Sequence, residues 1–167
     1  SITRLLKMPR SDFGKSIAHI GFGLTVFGIS AVSAWELEDI RVINLNESYD
    51  INGYSIKLTK VLEFEKLNYV TRQGEVVVEK AGQVVATLFP EKRFYPVQST
   101  STTEAAIDTS LFRDIYIVLG DKKSDKTWVM RTYIKPFIIW IWIGALTIAV
   151  GGALSLTDRR YRLATIK

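Results

Sequence analysis

The sequence predicts a membrane protein of the α+β class, in which two transmembrane helices flank a small extracytoplasmic all-β domain. That domain is either a barrel similar to an OB-fold or a sandwich. Two long charge-free apolar runs predict the helices. Period-two alternation of apolar and polar residues between them predicts the strands. Surplus positive charge just outside the runs sets the topology.

The first run, Ser16 to Trp35, holds no Lys, Arg, Asp or Glu, and the second, Pro136 to Thr157, is equally free of charge. About twenty such residues cross the ~30 Å hydrocarbon core of a bilayer. Trp35, Trp140 and Trp142 fit an aromatic belt at one interface. The first run is too long for a secretory signal, and no small-x-small site closes it.

The net charge of +5 suggests nucleic acid only until the chain is divided. Arg4, Lys7, Arg10 and Lys15 against Asp12 give the first segment +3. Arg159, Arg160, Arg162 and Lys167 against Asp158 give the last segment +3. Between the runs, 14 basic and 15 acidic residues leave −1. This is the positive-inside pattern, and it argues against a nucleic-acid partner. The predicted organisation is a cytoplasmic basic segment at 1–15, a helix at 16–35, a periplasmic β domain at 36–135, a helix at 136–157 and a cytoplasmic basic tail at 158–167. The absence of cysteine excludes disulfides, thiolate ligands and covalent haem attachment through this chain. The sequence does not open with Met, and a piece of a longer or split polypeptide is expected.

Within the middle segment, "EDIRVINL", "GYSIKLTKVLEFEKL", Val76–Glu79, Gln83–Leu88, "LFRDIYIVLGD" and "KTWVMRTYIKP" read as strands. Gly53, Gly74, Gly82 and Gly120 occupy turn-like positions. Residues 95–110 interrupt this rhythm with Ser and Thr. They read as a crossover loop, solvated or used for docking, in which Thr102 or Thr103 caps a short helical turn carrying Glu104. Arg93, Thr103, Glu104, Asp108, Arg113 and Asp114 form the polar surface expected near that loop, for a partner or as ordinary surface charge. Glu104 and Asp108 do not make a convincing acid–base pair, and no Ser–His–Asp set, phosphate loop or EF-hand is present. Tyr69, Phe89, Phe94 and Tyr95 read as core or interface.

His19 is the one histidine of the chain, and it lies inside the first apolar run. An ionisable side chain there usually faces protein, a cavity or a cofactor. Three roles remain open on the residues alone: an interhelical hydrogen bond, a proton relay, and ligation of haem iron. Gly23 is four residues on, on the same helical face, and leaves space for a flat macrocycle or a neighbouring helix. Gly21 and Gly28 add small surface. Ala145, Ala149 and Ala153 form a small-xxx-small stripe beside Gly151 and Gly152. Both helices are therefore expected to pack on further helices.

The stretches "SIAHIGFGLTVFGI", "EKRFYPVQSTSTTEAAIDTSLFRDIYIVLGD", "RTYIKPFIIWIWIG" and "GGALSLTDRRYR" resemble the C-terminal part of the CcmF family of cytochrome c-type biogenesis proteins, over nearly the whole chain. The resemblance implies a module of a polytopic haem lyase in the bacterial, or mitochondrial, inner membrane. Implied partners are the remainder of CcmF, CcmH and in some lineages CcmI, the haem chaperone CcmE, apocytochrome c and membrane lipid. It further implies that His19, in "AHIGFG", is an axial ligand of a transmembrane haem b that reduces incoming haem, with Gly23 packing beside the porphyrin. The family's WWD region, its two flanking periplasmic histidines and the second transmembrane ligand have no counterpart in this sequence. Half a haem site is therefore expected, and no catalysis by this chain alone. The alternative is a membrane-anchored docking subunit that ligates no haem.

Overall fold

A computed structural model describes residues 9–158. Arg4, Lys7, Arg159, Arg160, Arg162 and Lys167, which carry much of the predicted flanking charge, lie outside the described residues. The chain forms two compact units. One holds both helices with residues 111–113, and the other is the β domain, residues 36–110 and 114–135.

In the helical unit, α1 (Arg10–Trp35) contains the first charge-free run and begins ahead of it. Its 26 residues rise about 39 Å. The second helix, α2 (Ile139–Leu156), has 18 residues and rises about 27 Å. Both are long and apolar enough to cross a membrane. They pack antiparallel along a seam of glycines. Gly14, Gly21 and Gly28 recur every seventh residue on α1 and meet Gly151, Gly144 and Ile141 in turn. A 3.5-residue repeat keeps one stripe facing a partner helix. The backbones are close enough that a Cβ at Gly21 would stand 2.6 Å from the nitrogen of Ile148, and one at Gly151 would stand 2.5 Å from the nitrogen of Ala18. Only glycine fits there.

The two ends of this pair are secured differently. At one end, the Ser11 backbone N–H donates to the Asp158 carboxylate at 3.0 Å, so the C-terminal end of α2 caps the N-terminus of α1. A carboxylate is favourable at a helix N-terminus, where N–H groups lack partners. The Ser155 hydroxyl donates to the Ser11 carbonyl at 3.2 Å beside it. At the other end, the Phe137 ring meets Phe27, Trp35 and Phe112 in tilted and edge-on contacts, and Trp140 lies edge-on to Phe27. The Trp140 indole N–H donates to the Leu111 carbonyl at 2.8 Å. Phe137 has a positive φ of 58°, a costly conformation for an aromatic residue. Its ring contacts and a 3.0 Å hydrogen bond from its N–H to the Phe112 carbonyl hold it there.

The β domain has ten strands: β1 (Leu37–Asn44), β2 (Ser48–Ile51), β3 (Tyr54–Glu65), β4 (Val70–Lys80), β5 (Gln83–Leu88), β6 (Glu91–Tyr95), β7 (Thr100–Glu104), β8 (Ala106–Thr109), β9 (Arg113–Ser124) and β10 (Thr127–Pro136). They form a sandwich. One sheet has the order β1-β10-β9-β8, and the other runs β2-β3-β4-β6-β7 with β5 added on β4. Ile56, Leu58, Val76 and Val78 from the larger sheet pack with Ile43, Ile115, Ile117, Leu119 and Met130 from the smaller one. Every second residue supplies this core, as the alternation predicts. A buried 2.5 Å hydrogen bond between Tyr49 and Thr132 ties the sheets together. Burial pushes the Tyr49 phenol up despite that bond. Asn52-Gly53 and Ala81-Gly82 make tight turns with positive φ at both residues, the geometry two-residue hairpins need.

Residues 95–110 differ from the sequence expectation. Most of the stretch is strand, and no helical turn carries Glu104. β6, β7 and β8 are short and rich in polar residues on both faces, so no alternation announces them. Phe89 and Phe94 are exposed rather than core, and the Tyr69 and Tyr95 rings pair with centroids 5.4 Å apart.

Candidate functional site

The α1 face turned away from the glycine seam carries Asp12, Ser16, His19, Gly23, Val26 and Ser30, spaced alternately four and three residues apart, and all six are exposed. That spacing places them in one stripe along the helix. Five of the six are small or polar, Val26 being the exception, whereas Ile20, Phe22, Phe27 and Ile29 are exposed elsewhere on the helix. The Ser16 hydroxyl donates to the Asp12 carbonyl at 2.9 Å, a local bond that satisfies it within its own helix.

His19 is held by its own helix. Its Nδ1 stands 2.7 Å from the Lys15 carbonyl oxygen. A carbonyl only accepts, so Nδ1 carries the proton in the neutral ring, and the Nε2 lone pair is left for another partner. A backbone carbonyl in this role is the usual way in which a metal-ligating histidine is oriented and its tautomer fixed. One turn further on, a Cβ built at Gly23 meets nothing within 4 Å. Gly23 and Gly21 thus have different tasks. Gly21 lets α2 approach, while Gly23 keeps the His19 face flat.

These residues fit one half of a haem site: a single imidazole with a free nitrogen beside an open, small-residue face. They offer no second imidazole and no thiolate, because the chain has one histidine and no cysteine. The predicted Ala145, Ala149 and Ala153 stripe does not meet α1. It is exposed, and Gly144 and Gly151 make the helix contact instead.

The polar residues expected around 95–110 separate into two groups. Arg93, Thr103 and Glu104 lie on β6 and β7 of the larger sheet, where Thr103 pairs with Lys92 and Glu104 with Glu91. Arg93 bridges two carboxylates, Glu91 at 2.9 Å and Glu104 at 3.3 Å, and its guanidinium lies 5.2 Å from the Tyr69 ring centroid. Burial raises the Glu91 carboxyl, but hydrogen bonds from Arg93, Gln73 and Thr71 outweigh it and hold the group below the usual carboxylate range. Asp108 and Asp114 belong to β8 and β9 of the smaller sheet. Asp114 is only 6 % exposed and accepts from the Thr109 hydroxyl at 3.1 Å, so it is part of the interior and not of a docking surface. Arg113 opens β9 and groups with the helical unit.

Comparison with known proteins agrees with this architecture. The family described as CcmF C-terminal beta-sandwich matches residues 34–136. "Cytochrome c-type biogenesis protein ccl1" of Rhodobacter capsulatus is 47% identical over 161 residues, 96% of this chain and 25% of that protein. "Cytochrome c-type biogenesis protein CcmF" of Haemophilus influenzae is 45% identical over 93% of this chain and 24% of its own length. The Escherichia coli protein of the same name is 36% identical over 96% of this chain and 25% of its own. A solved structure titled "Cytochrome c Heme Lyase CcmF" superposes with a TM-score of 0.71 at 16% identity, covering 89% of this chain and 25% of that one. At that identity the superposition speaks for the fold. The chain thus spans about a quarter of the length of the curated relatives it matches.

Proposed function

This chain belongs to the CcmF family and carries its C-terminal β-sandwich, and on that premise we propose that it is the C-terminal module of a haem lyase in cytochrome c maturation, with His19 as one axial ligand of haem b. In this reading α1 and α2 span the inner membrane through 16–35 and 136–157. The basic ends at 1–15 and 158–167 are cytoplasmic, and the β domain at 36–135 is periplasmic. The partners are the remainder of CcmF, CcmH and CcmI, the chaperone CcmE and apocytochrome c.

The observation that carries the reading is the His19 imidazole, fixed by the Lys15 carbonyl with Nε2 left over, on a largely small or polar stripe that α2 does not cover. A stripe of that composition is poorly suited to lipid and suits a protein-enclosed cofactor. The Lys15 carbonyl keeps the ring in the tautomer whose Nε2 can bind iron. Gly23 removes the side chain that would crowd a planar ring, and the surrounding apolar helix excludes water. When bound, the haem supplies one-electron chemistry, tuned by its axial ligands. Its second ligand comes from outside this chain, which has no other histidine.

The test is an optical spectrum of the purified membrane complex, with this chain co-expressed with the rest of a matching haem lyase. In His19→Ala the reduced haem b bands should weaken or shift while assembly persists, and added imidazole should restore them. Unchanged bands in an intact complex would remove His19 as a ligand and leave the chain as an anchor and docking platform.

A further inference from the structure

β7 is the last strand of the larger sheet. Its five residues, Thr100 to Glu104, are all exposed. It pairs with β6 on one side, and among the described residues no strand pairs with its other side. Natural sheets usually guard such an edge with Lys, Pro or a bulge. β1, the opposite kind of edge, carries Asp39 bonded to Arg41 within the strand. "TSTTE" has no basic residue and no proline, and three of its five residues are threonine, which favours the extended conformation. Its backbone is open to one more strand.

The two faces beside this edge are chemically different. On one face, Phe94 pairs with Ser101 and lines a groove of about 320 Å³ with Val70, Arg72, Lys92 and Ser101. Ser101 is short, so the space between the Phe94 ring and a strand added beyond β7 is unfilled. The charges in the groove are matched in pairs, Arg72 with Glu63 at 2.6 Å and Lys92 with Asp121. The groove therefore offers an added strand an apolar contact and no surplus charge. On the other face, Glu91 and Glu104 stand directly opposite each other. Like charges in that position destabilise a sheet. One guanidinium, Arg93, serves both, and the row keeps a surplus negative charge at its open end.

We propose that the β7 edge receives an extended peptide segment of a partner protein by β-strand addition. The segment carries a basic residue opposite Glu104 and a large apolar residue opposite Ser101. Cross-strand partners share a face and successive residues alternate faces. The two recognition residues are therefore three positions apart in the peptide and point to opposite sides of the sheet. Main-chain hydrogen bonds to Thr100–Glu104 supply the attachment, and the Glu104 row with the Phe94 groove supplies the selection. This goes beyond haem ligation and does not depend on it. The edge lies in the β domain, and its readouts involve no haem.

The experiment uses the full chain in lipid nanodiscs and the synthetic peptide acetyl-TKTTFT-amide, with a second peptide in which Glu replaces the Lys. Hydrogen exchange should show new protection at amides 100–104 on adding the first peptide. Opposed charge pairs in sheets typically change affinity about two- to fivefold, so the Lys peptide should bind more tightly than the Glu peptide by that factor. Glu104→Lys should reverse the order, and Glu104→Gln should abolish the preference while keeping the protection. Lack of protection at 100–104 would overturn the proposal. So would a preference unchanged in both variants, or protection that grows with protein concentration without peptide, which would assign the edge to a second copy of this chain. The haem spectrum of the co-expressed complex should be the same in Glu104→Lys and wild type, so failure here and failure of the His19 assignment are separate results.

Discussion

The helical unit packs through glycine and leaves large apolar side chains exposed, whereas the β domain packs through a core of large aliphatic side chains. Gly14, Gly21, Gly28, Gly144 and Gly151 are the buried contacts between α1 and α2, whereas Phe22, Trp142 and Leu146 are 63, 67 and 68 % exposed. In the β domain Ile56, Leu58, Ile115, Ile117 and Leu119 are fully buried between the two sheets. A protein in water gains most by removing large apolar side chains from solvent. In lipid that gain vanishes, and helices associate through close backbone approach and dispersion. The same chain follows both rules, each in its own unit. On the proposed reading of α1 and α2 as membrane spans, the difference teaches that the two units are built for different solvents.

Removing apolar volume should therefore damage one unit and spare the other. Ile117→Ala should destabilise the β domain by about 2–5 kcal/mol, through lost transfer energy and a cavity. Phe22→Ala, which removes more volume from an exposed helical position, should cost under about 1 kcal/mol in detergent. Denaturant unfolding of the full chain, followed by hydrogen exchange in each unit, checks both. Equal losses would mean that the helical unit has a side-chain core, contrary to the glycine seam.

Adding volume sharpens the same contrast within α1. Gly21→Leu forces a side chain against the α2 backbone and should cost about 1–3 kcal/mol, seen as lost helix pairing in cysteine cross-linking between added reporter sites. Gly23→Leu meets open space and should leave helix pairing unchanged. In the assembled complex it should instead disturb the haem b bands, because it fills the face beside His19.

Much of this was legible beforehand. The charge-free runs marked both helices, and alternation at Tyr54, Ile56 and Leu58 and at Ile115, Ile117 and Leu119 marked the two core strands β3 and β9. His19 stood out because it is the one imidazole, in an apolar run. The strands β2, β6, β7 and β8 were hidden for a physical reason. Each has five residues or fewer, and β7 has no buried face to impose a period. The helix seam was hidden because α2 offers two small stripes. Ala145, Ala149 and Ala153 follow the four-residue rule, whereas Gly144 and Gly151 match the seven-residue spacing on α1, which only the partner helix makes meaningful. The Glu91–Arg93–Glu104 row needed the β6–β7 register.

The β domain should also respond to acid. Glu91 is held below the ordinary carboxylate range in the folded state, whereas unfolded it titrates near 4.3, as a free glutamate does. A carboxylate lowered on folding contributes stability that is fully present above the unfolded value. That contribution is lost as pH falls through the folded value. Asp39, Glu75 and Asp121 are lowered as well, through Arg41, Lys60 and Lys92. Thermal unfolding between pH 7 and pH 3 should show the β domain weakening below about pH 4.3. Glu91→Gln should flatten part of that slope and leave the rest. A slope identical to wild type would assign no role to the Arg93, Gln73 and Thr71 hydrogen bonds.

The smallest expected effect compares two turns of one geometry. Asn52-Gly53 joins β2 to β3, and Ala81-Gly82 joins β4 to β5, with the first residue of each at a φ of 50°. Asparagine tolerates that left-handed conformation, whereas alanine places its Cβ too close to the following carbonyl. Ala81→Asn should therefore stabilise the β domain by about 0.5–1 kcal/mol, and Asn52→Ala should remove a similar amount. Chemical denaturation of the two variants against wild type measures both. Opposite signs at the two turns would show that the hairpins obey local backbone sterics. A loss at both would show that Ala81 is kept for a contact that asparagine cannot make.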